Sequence, residues 1–298
     1  MNSKKVRANL LLLLTAFIWG MAFVAQSRGM ESLGPFLFNG VRSLIGGTVL
    51  LPVIAFMDKR NPSKAPTKWP LFGGLCCGLA LFIASALQQL GIMDSGAGKA
   101  GFITALYVVL VPVLGVFLGK KTTFVSWFST GIALFGMFLL CMDGASLTLA
   151  RSDLLLLLCA LVFAVHILII DRFAPRVDCV RMACLQFYVS GVLSFVTALF
   201  VEEIRFTDIW SAIVPILYTG VLSSGVAYTL QIVAQKDTDP TSAALICSLE
   251  SVFALLGGWL LMGESFSLRE LIGCALTFGA IILSQLPIFN VERFDEDD

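Results

Sequence analysis

The chain has 298 residues, of which 58% are hydrophobic and 13% charged, with 20 basic and 20 acidic side chains in balance. Soluble domains carry about 25% charged residues, so this chain has too little polar surface to cover itself in water, and its main solvent is lipid. No basic stripe or domain is present to hold a nucleic acid. The eight cysteines form no C-x-x-C pair and sit mostly inside apolar runs, which reads as small hydrophobes rather than disulfides or metal ligands.

A helix needs about 20 apolar residues to cross a hydrocarbon core of about 30 Å, and ten stretches qualify. The first, 9–27, follows Lys4, Lys5 and Arg7 and so imitates a signal peptide. Its apolar stretch is long and nine more follow, so it is expected to be an uncleaved span. It carries Trp19 and Phe23, four residues apart, which either stack on a ligand or pack. The second, 34–56, places Asn39 and Arg42 on one face. Arg42 is the only cation inside a span; its planar fork either binds a carboxylate, pairs with a buried acid, or snorkels to water.

The third span, 69–90, carries Ser85 and Gln88. After it, "GIMDSGAGKA" (91–100) imitates a phosphate-binding loop but has Met93 and Ala100 where a glycine and a Ser/Thr are required. Neither a nucleotide nor any other cofactor is expected. The fourth, 99–118, holds Thr104 and Tyr107 on one face, and the fifth is 124–142. The sixth, 153–171, contains His166, the only histidine. One imidazole cannot build a metal site; it either relays protons or is a neutral group bonded to a neighbouring helix. The seventh is 180–201. On the eighth, 209–233, Ser224, Tyr228, Gln231 and Gln235 recur at helical spacing as one polar stripe. The ninth, 240–262, has Glu250 near its middle, and the tenth is 267–289. A carboxylate at mid-membrane is costly and is a functional candidate by default. It contacts a substrate, carries a proton, or pairs with Arg42.

Of the 20 basic residues, Arg28, Lys99, Arg151, Arg205 and Arg269 fall on one side, Arg42 lies in a span, and the other 14 fall on the N-terminal side. The positive-inside rule then puts both termini in the cytoplasm, with a multi-pass chain in the cytoplasmic membrane. The acidic tail, 291–298, is expected to be solvated there.

The chain also repeats. At a constant offset of 143 residues, as for Gln88 and Gln231, "ALQQLGIMDSGAGKAGFITALYVVLVPVLG" (86–115) aligns with "TLQIVAQKDTDPTSAALICSLESVFALLGG" (229–258). Ser85 then matches Tyr228, and Tyr107 matches Glu250. At an offset of 144, 11–20 aligns with 155–164, and Gln186 stands where Arg42 does. Two five-helix repeats, 1–145 and 146–290, follow. Because five is odd, the second enters the membrane from the opposite side, and such inverted repeats bind their cargo near the midplane where the halves meet. The fold expected is an all-α integral membrane protein of ten transmembrane helices in two inverted five-helix repeats. Gly131, Gly136, Gly273 and Gly279 allow close packing of the fifth and tenth helices, either within the chain or between two copies of a homodimer.

"AFIWGMAFV" (16–24), "FNGVRSLIGG" (38–47) and "SLESVFALLGGWLLMGESFSLRELIGCALTFGAIIL" (248–283) carry a family likeness across nearly the whole chain. The sequence resembles the EamA-type transporters of the drug/metabolite transporter superfamily. It departs from their pattern at Lys120-Lys121, which stand where the second half has Gly263-Glu264. The resemblance implies a ten-helix bundle, a central cavity lined mainly by the first, third, fourth, sixth, eighth and ninth helices, and export or exchange of small metabolites.

The function expected is therefore secondary transport of a small metabolite, an amino acid or related compound or an amphipathic drug, by alternating access, possibly coupled to protons through Glu250. The alternatives are a channel-like facilitator and an intramembrane enzyme. The spans hold one carboxylate and one histidine, too few for an evident catalytic set, and the polar residues form two stripes rather than the rings of a channel.

Overall fold

The computed structural model describes residues 3–60, 68–95, 97–120, 122–141, 150–262 and 267–285. Lys121, Glu264 and the acidic tail 291–298 lie outside the described residues.

Among those residues the chain is helical, with no strand. Helices α1 (Ser3–Gly29), α2 (Pro35–Arg60) and α3 (Lys68–Ser95) are followed by two half-length helices, α4 (Ala97–Ala105) and α5 (Tyr107–Phe117), and by α6 (Phe124–Cys141). The second half begins with α7 (Arg151–Phe173) and α8 (Cys179–Val201). Next come the short α9 (Phe206–Ser211) and α10 (Ile213–Leu217), a π-helix (Tyr218–Tyr228) and α11 (Thr229–Ala234). Another interrupted pair, α12 (Pro240–Cys247) and α13 (Glu250–Met262), precedes α14 (Leu268–Gln285).

Eight helical stretches are long and apolar enough to cross a membrane, from Ser3–Gly29 to Pro240–Gly257. Two shorter apolar helices, Phe124–Leu139 and Leu271–Ser284, fall where the fifth and tenth spans are expected. These two pack against each other within the chain, with Gly136 beside Gly273 and Thr277, whereas a Cβ on Gly131 or Gly279 would meet no other element among the described residues within 4 Å.

The solvent inferred from composition explains which side chains face out. Phe72, Phe117, Phe200, Trp210 and Leu268 are exposed, while Asn39, Arg42, Gln89, Gln186, Gln231 and Glu250 are buried. This is the pattern of a protein whose lipid-facing surface is apolar and whose polar groups are gathered inside. The principal core joins residues of α1, α2, α3, α5, α7, α8, α11 and α12, so it spans both halves. The most extensive packing pairs are α2 with α8, α3 with α7 and α6 with α14.

Candidate functional site

Both interrupted helices tighten at corresponding places. Leu106 has φ −59° and ψ −12°, and Ser248 has φ −62° and ψ −14°, closer to 3₁₀ than to α geometry. Leu106 N donates to the Ile103 carbonyl at 3.2 Å, and Leu249 N to that of Ile246 at 3.2 Å, three residues back instead of four. The Ser248 hydroxyl donates to the Leu245 carbonyl at 2.7 Å, and the Ser251 hydroxyl donates to that of Ser248 at 2.8 Å, in competition with the helical ladder. In the first half no hydroxyl among the described residues plays this part; Pro112, which lacks an N–H, crowds the carbonyl of Val108, one turn beyond the tightened one.

The residues that open the second half-helices are Tyr107 and Glu250. Both are buried, and the Tyr107 hydroxyl donates to Glu250 Oε1 at 3.0 Å. Helix α1 closes on this point through Gly20, where a Cβ would lie 2.7 Å from the Glu250 carbonyl oxygen and 2.4 Å from Phe253 Cβ. Only glycine admits so close a backbone approach.

A cavity of about 30 Å³ lies beside the pair, room for a water or two. Of the residues expected from sequence, Trp19, Arg42, Gln88, Thr104, Tyr107, Tyr228 and Glu250 line it. So do Ala22, Phe23, Gln26, Phe163 and Ser223. Trp19 and Tyr228 stack at 4.5 Å between ring centroids with a 56° tilt. Arg42 does not pair with Glu250. Its Nη1 donates to Gln26 Oε1 at 2.9 Å, its guanidinium carbon lies 5.8 Å from the Phe38 ring centre, and its buried Nε has no hydrogen-bond partner among the described residues. The Trp19 indole nitrogen is likewise buried without a partner. The cavity thus holds a carboxylate, a guanidinium and three polar groups without a hydrogen-bond partner among the described residues, at Arg42 Nε, Trp19 Nε1 and Thr104 Oγ1, around an aromatic pair.

The other five expected residues stand off the cavity. Asn39 donates from Nδ2 to the Ser85 carbonyl at 3.0 Å, tying α2 to α3. Ser224 packs where Gly46 of α2 leaves room for it. Gln231 is buried in α11. His166 meets Gln186 across Nε2 and Oε1 at 3.1 Å and stands edge-on to Tyr228 at 6.0 Å. The histidine therefore props the ring that lines the cavity.

The stripe expected on the eighth span is displaced for a physical reason. The Thr219 hydroxyl donates to the Pro215 carbonyl at 2.7 Å, in competition with the backbone ladder, and the chain continues as a π-helix over Tyr218–Tyr228. Its longer repeat puts Ser223 and Tyr228, five residues apart, on the cavity, and moves Ser224 to α2. Gln26 was missed although its signal was present: it follows Trp19 and Phe23 on the same face of α1. Phe163 stands 144 residues after Trp19, as its counterpart in the repeat.

A model of the EamA-like transporter family matches residues 6–142 and again 150–286. A protein of Archaeoglobus fulgidus named as an uncharacterized transporter is 30% identical over 285 residues, covering 96% of this chain and 88% of the relative. The S-adenosylmethionine/S-adenosylhomocysteine transporter of Chlamydia muridarum is 22% identical over 279 residues, covering 86% and 84%. One solved crystal structure superposes with a TM-score of 0.79 at 21% identity, over 96% of this chain and 98% of that one; the likeness is one of fold.

Proposed function

Since this chain belongs to the EamA-like transporter family, we propose that it is a secondary carrier that moves a small zwitterionic metabolite across the cytoplasmic membrane by alternating access to the Tyr107–Glu250 cavity. The observation that carries this reading is the hydrogen bond between those two residues, 143 positions apart. Counterparts in two repeats can touch only beside the axis relating them, which is where an inverted-repeat carrier holds its cargo. The antiparallel packing of α2 on its counterpart α8 supports the inversion.

Chemistry then narrows the cargo. Arg42, backed by Gln26 and with Nε unsatisfied, suits a carboxylate. Glu250, with one hydroxyl donor, needs a further partner, which a cationic group of the substrate or a proton supplies. Trp19 and Tyr228, stacked on each other, offer their outer ring faces to an apolar or cationic body beside them. Amino acids fit this description. So does S-adenosylmethionine, which carries a carboxylate, an ammonium, a sulfonium and an adenine, and which a relative of 22% identity is named for. A cavity of about 30 Å³ is far below the roughly 300 Å³ of sites that hold such molecules, so cargo enters only after the halves move apart. Export or exchange, with both termini cytoplasmic, is the direction the family resemblance favours.

A thermal-shift screen of the purified full chain tests the cargo class. A ligand at about 100 times its Kd stabilises the state it binds by about 2.7 kcal/mol. Zwitterions with a free carboxylate are expected to raise Tm in a dose-dependent way and their methyl esters are not. A panel in which esters and acids act alike would remove the assignment to Arg42.

A further inference from the structure

Helices α2 and α8 correspond in the repeat and pack antiparallel, and each must satisfy the N–H groups of its first turn, which have no partner inside the helix. Helix α8 does so locally. Asp178, its N-cap, accepts from Val180 N at 3.0 Å and from Arg181 N at 3.1 Å. The corresponding position 144 residues earlier is Gly34, whose carbonyl takes the first helical bond, from Phe38 N at 3.0 Å, as that of Asp178 does from Met182 N. Gly34 has no side chain with which to cap. Instead the corresponding N–H groups, of Phe36 and Leu37, donate at 2.8 Å each to the two carboxylate oxygens of Glu202, the residue that ends α8. A Cβ on Gly34 would lie 2.3 Å from the Glu202 carboxyl carbon, so the carboxylate from the other half fills the place of the missing cap.

Glu202 has its own counterpart 144 residues earlier, Asp58, near the end of α2. Asp58 pairs with Arg181 in the first turn of α8. The two helices are therefore tied at both ends by an acid from the end of one onto the start of the other, and the ties differ in kind. Asp58–Arg181 joins side chains that are 42% and 35% exposed, where salt screens the attraction, and losing it leaves the Asp178 cap in place. Releasing Glu202 strips two backbone donors of a charged acceptor.

We propose that Glu202 is a latch between the halves: it holds shut the face opposite the chain's N-terminus by capping α2 in trans, and its release is a step in opening that face to the cavity. Arg42, which lines the cavity, lies five residues beyond Leu37 on the same helix, so the start of α2 cannot swing without carrying Arg42 with it. The latch rests on the alternating-access reading. It makes the two faces unequal, the N-terminal one being the easier to open at the α2–α8 seam.

The test uses the full chain in proteoliposomes of fixed orientation, with the eight native cysteines replaced by alanine and Ser223→Cys as a cavity reporter for a membrane-impermeant maleimide. Glu202→Ala is compared with Glu202→Ala/Gly34→Asp, which restores a cap from α2 itself but not the link to α8. Glu202→Ala is expected to lower Tm and to raise labelling from the Glu202 face by about tenfold. In the double variant Tm recovers and labelling stays raised. Labelling that returns to the parent rate in the double variant, or that is unchanged by Glu202→Ala, overturns the latch and leaves Glu202 a helix cap. Should Glu202→Ala not purify, Glu202→Gln, which keeps one acceptor oxygen, is expected to raise labelling by a smaller factor, and no rise overturns the proposal equally. Failure of the alternating-access reading shows separately, as parent flux without exchange stimulation.

Discussion

The hydroxyl of Tyr107 donates to Glu250 Oε1 at 3.0 Å, although the two residues are 143 positions apart and occupy the same place in successive repeats. The fold brings a phenol and a carboxylate together where counterpart residues of α5 and α13 meet, and at this pair the two halves differ chemically. A proton or a cationic group arriving at Glu250 must compete with Tyr107 for the carboxylate. That competition gives the first predictions.

Tyr107→Phe removes one hydrogen bond to a carboxylate, worth about 1.5–3 kcal/mol. If Tyr107 stabilises Glu250 in the step that limits transport, kcat/KM falls by about 10- to 100-fold, and the fold survives because the ring still fills its place. Initial-rate uptake into proteoliposomes measures the fall; an unchanged kcat/KM would mean that the bond is idle in transport.

Arg42→Lys keeps the charge but loses the planar fork and its bond geometry to Gln26. We expect KM for a carboxylate-bearing cargo to rise about tenfold, with kcat little changed, because a carboxylate pair is lost as ground-state and transition-state binding alike. Gln26→Leu is expected to act in the same direction by a smaller factor. Equal KM values for the wild type and Arg42→Lys would place the carboxylate elsewhere.

His166→Leu leaves Gln186 buried and without its partner, a cost of about 1–3 kcal/mol, so Tm is expected to fall. Because the imidazole props Tyr228 and stands off the cavity, the pH profile of transport is expected to keep its shape. A profile that changes shape in this variant, and equally in His166→Gln, would make His166 a proton carrier.

Lys120 and Asp171 pair across the halves on the N-terminal face, with side chains 38% and 17% exposed. A pair so open to water is worth up to about 1 kcal/mol. Lys120→Met is expected to shift Tm only slightly, and less at high salt than at low salt; a large, salt-independent drop would show a buried role for the pair.

Much of this is legible in the amino-acid sequence. The constant offset paired Tyr107 with Glu250, and mid-span polarity singled out Arg42, Gln88 and Thr104, because a charged or amide group in lipid must turn inward. What periodicity could not show was a change of period. The π-helix over Tyr218–Tyr228 replaced Ser224 by Ser223 at the cavity, and the tightened turn at Ser248 comes with two serine hydroxyls competing for carbonyls. Their effect on the ladder depends on rotamer and partner, not on composition. The Arg42–Gln26 bond was hidden for a simpler reason: Glu250 carried the opposite charge, and charge complementarity favoured it over an amide in the first helix. The distinct cap of α2 was also invisible, since Glu202 lies far from Gly34 in sequence and looks like any solvated acid at a helix end.

The most direct test of the central claim is exchange flux through wild type and Glu250→Gln in matched proteoliposomes, with S-adenosylmethionine and a set of amino acids as cargo. The account predicts a saturable wild-type flux that internal cargo accelerates and that varies with pH, and a Glu250→Gln flux that is slower and flat in pH. Flux that rises without saturation and ignores internal cargo, or a Glu250→Gln protein that matches the wild type in both rate and pH profile, would contradict it.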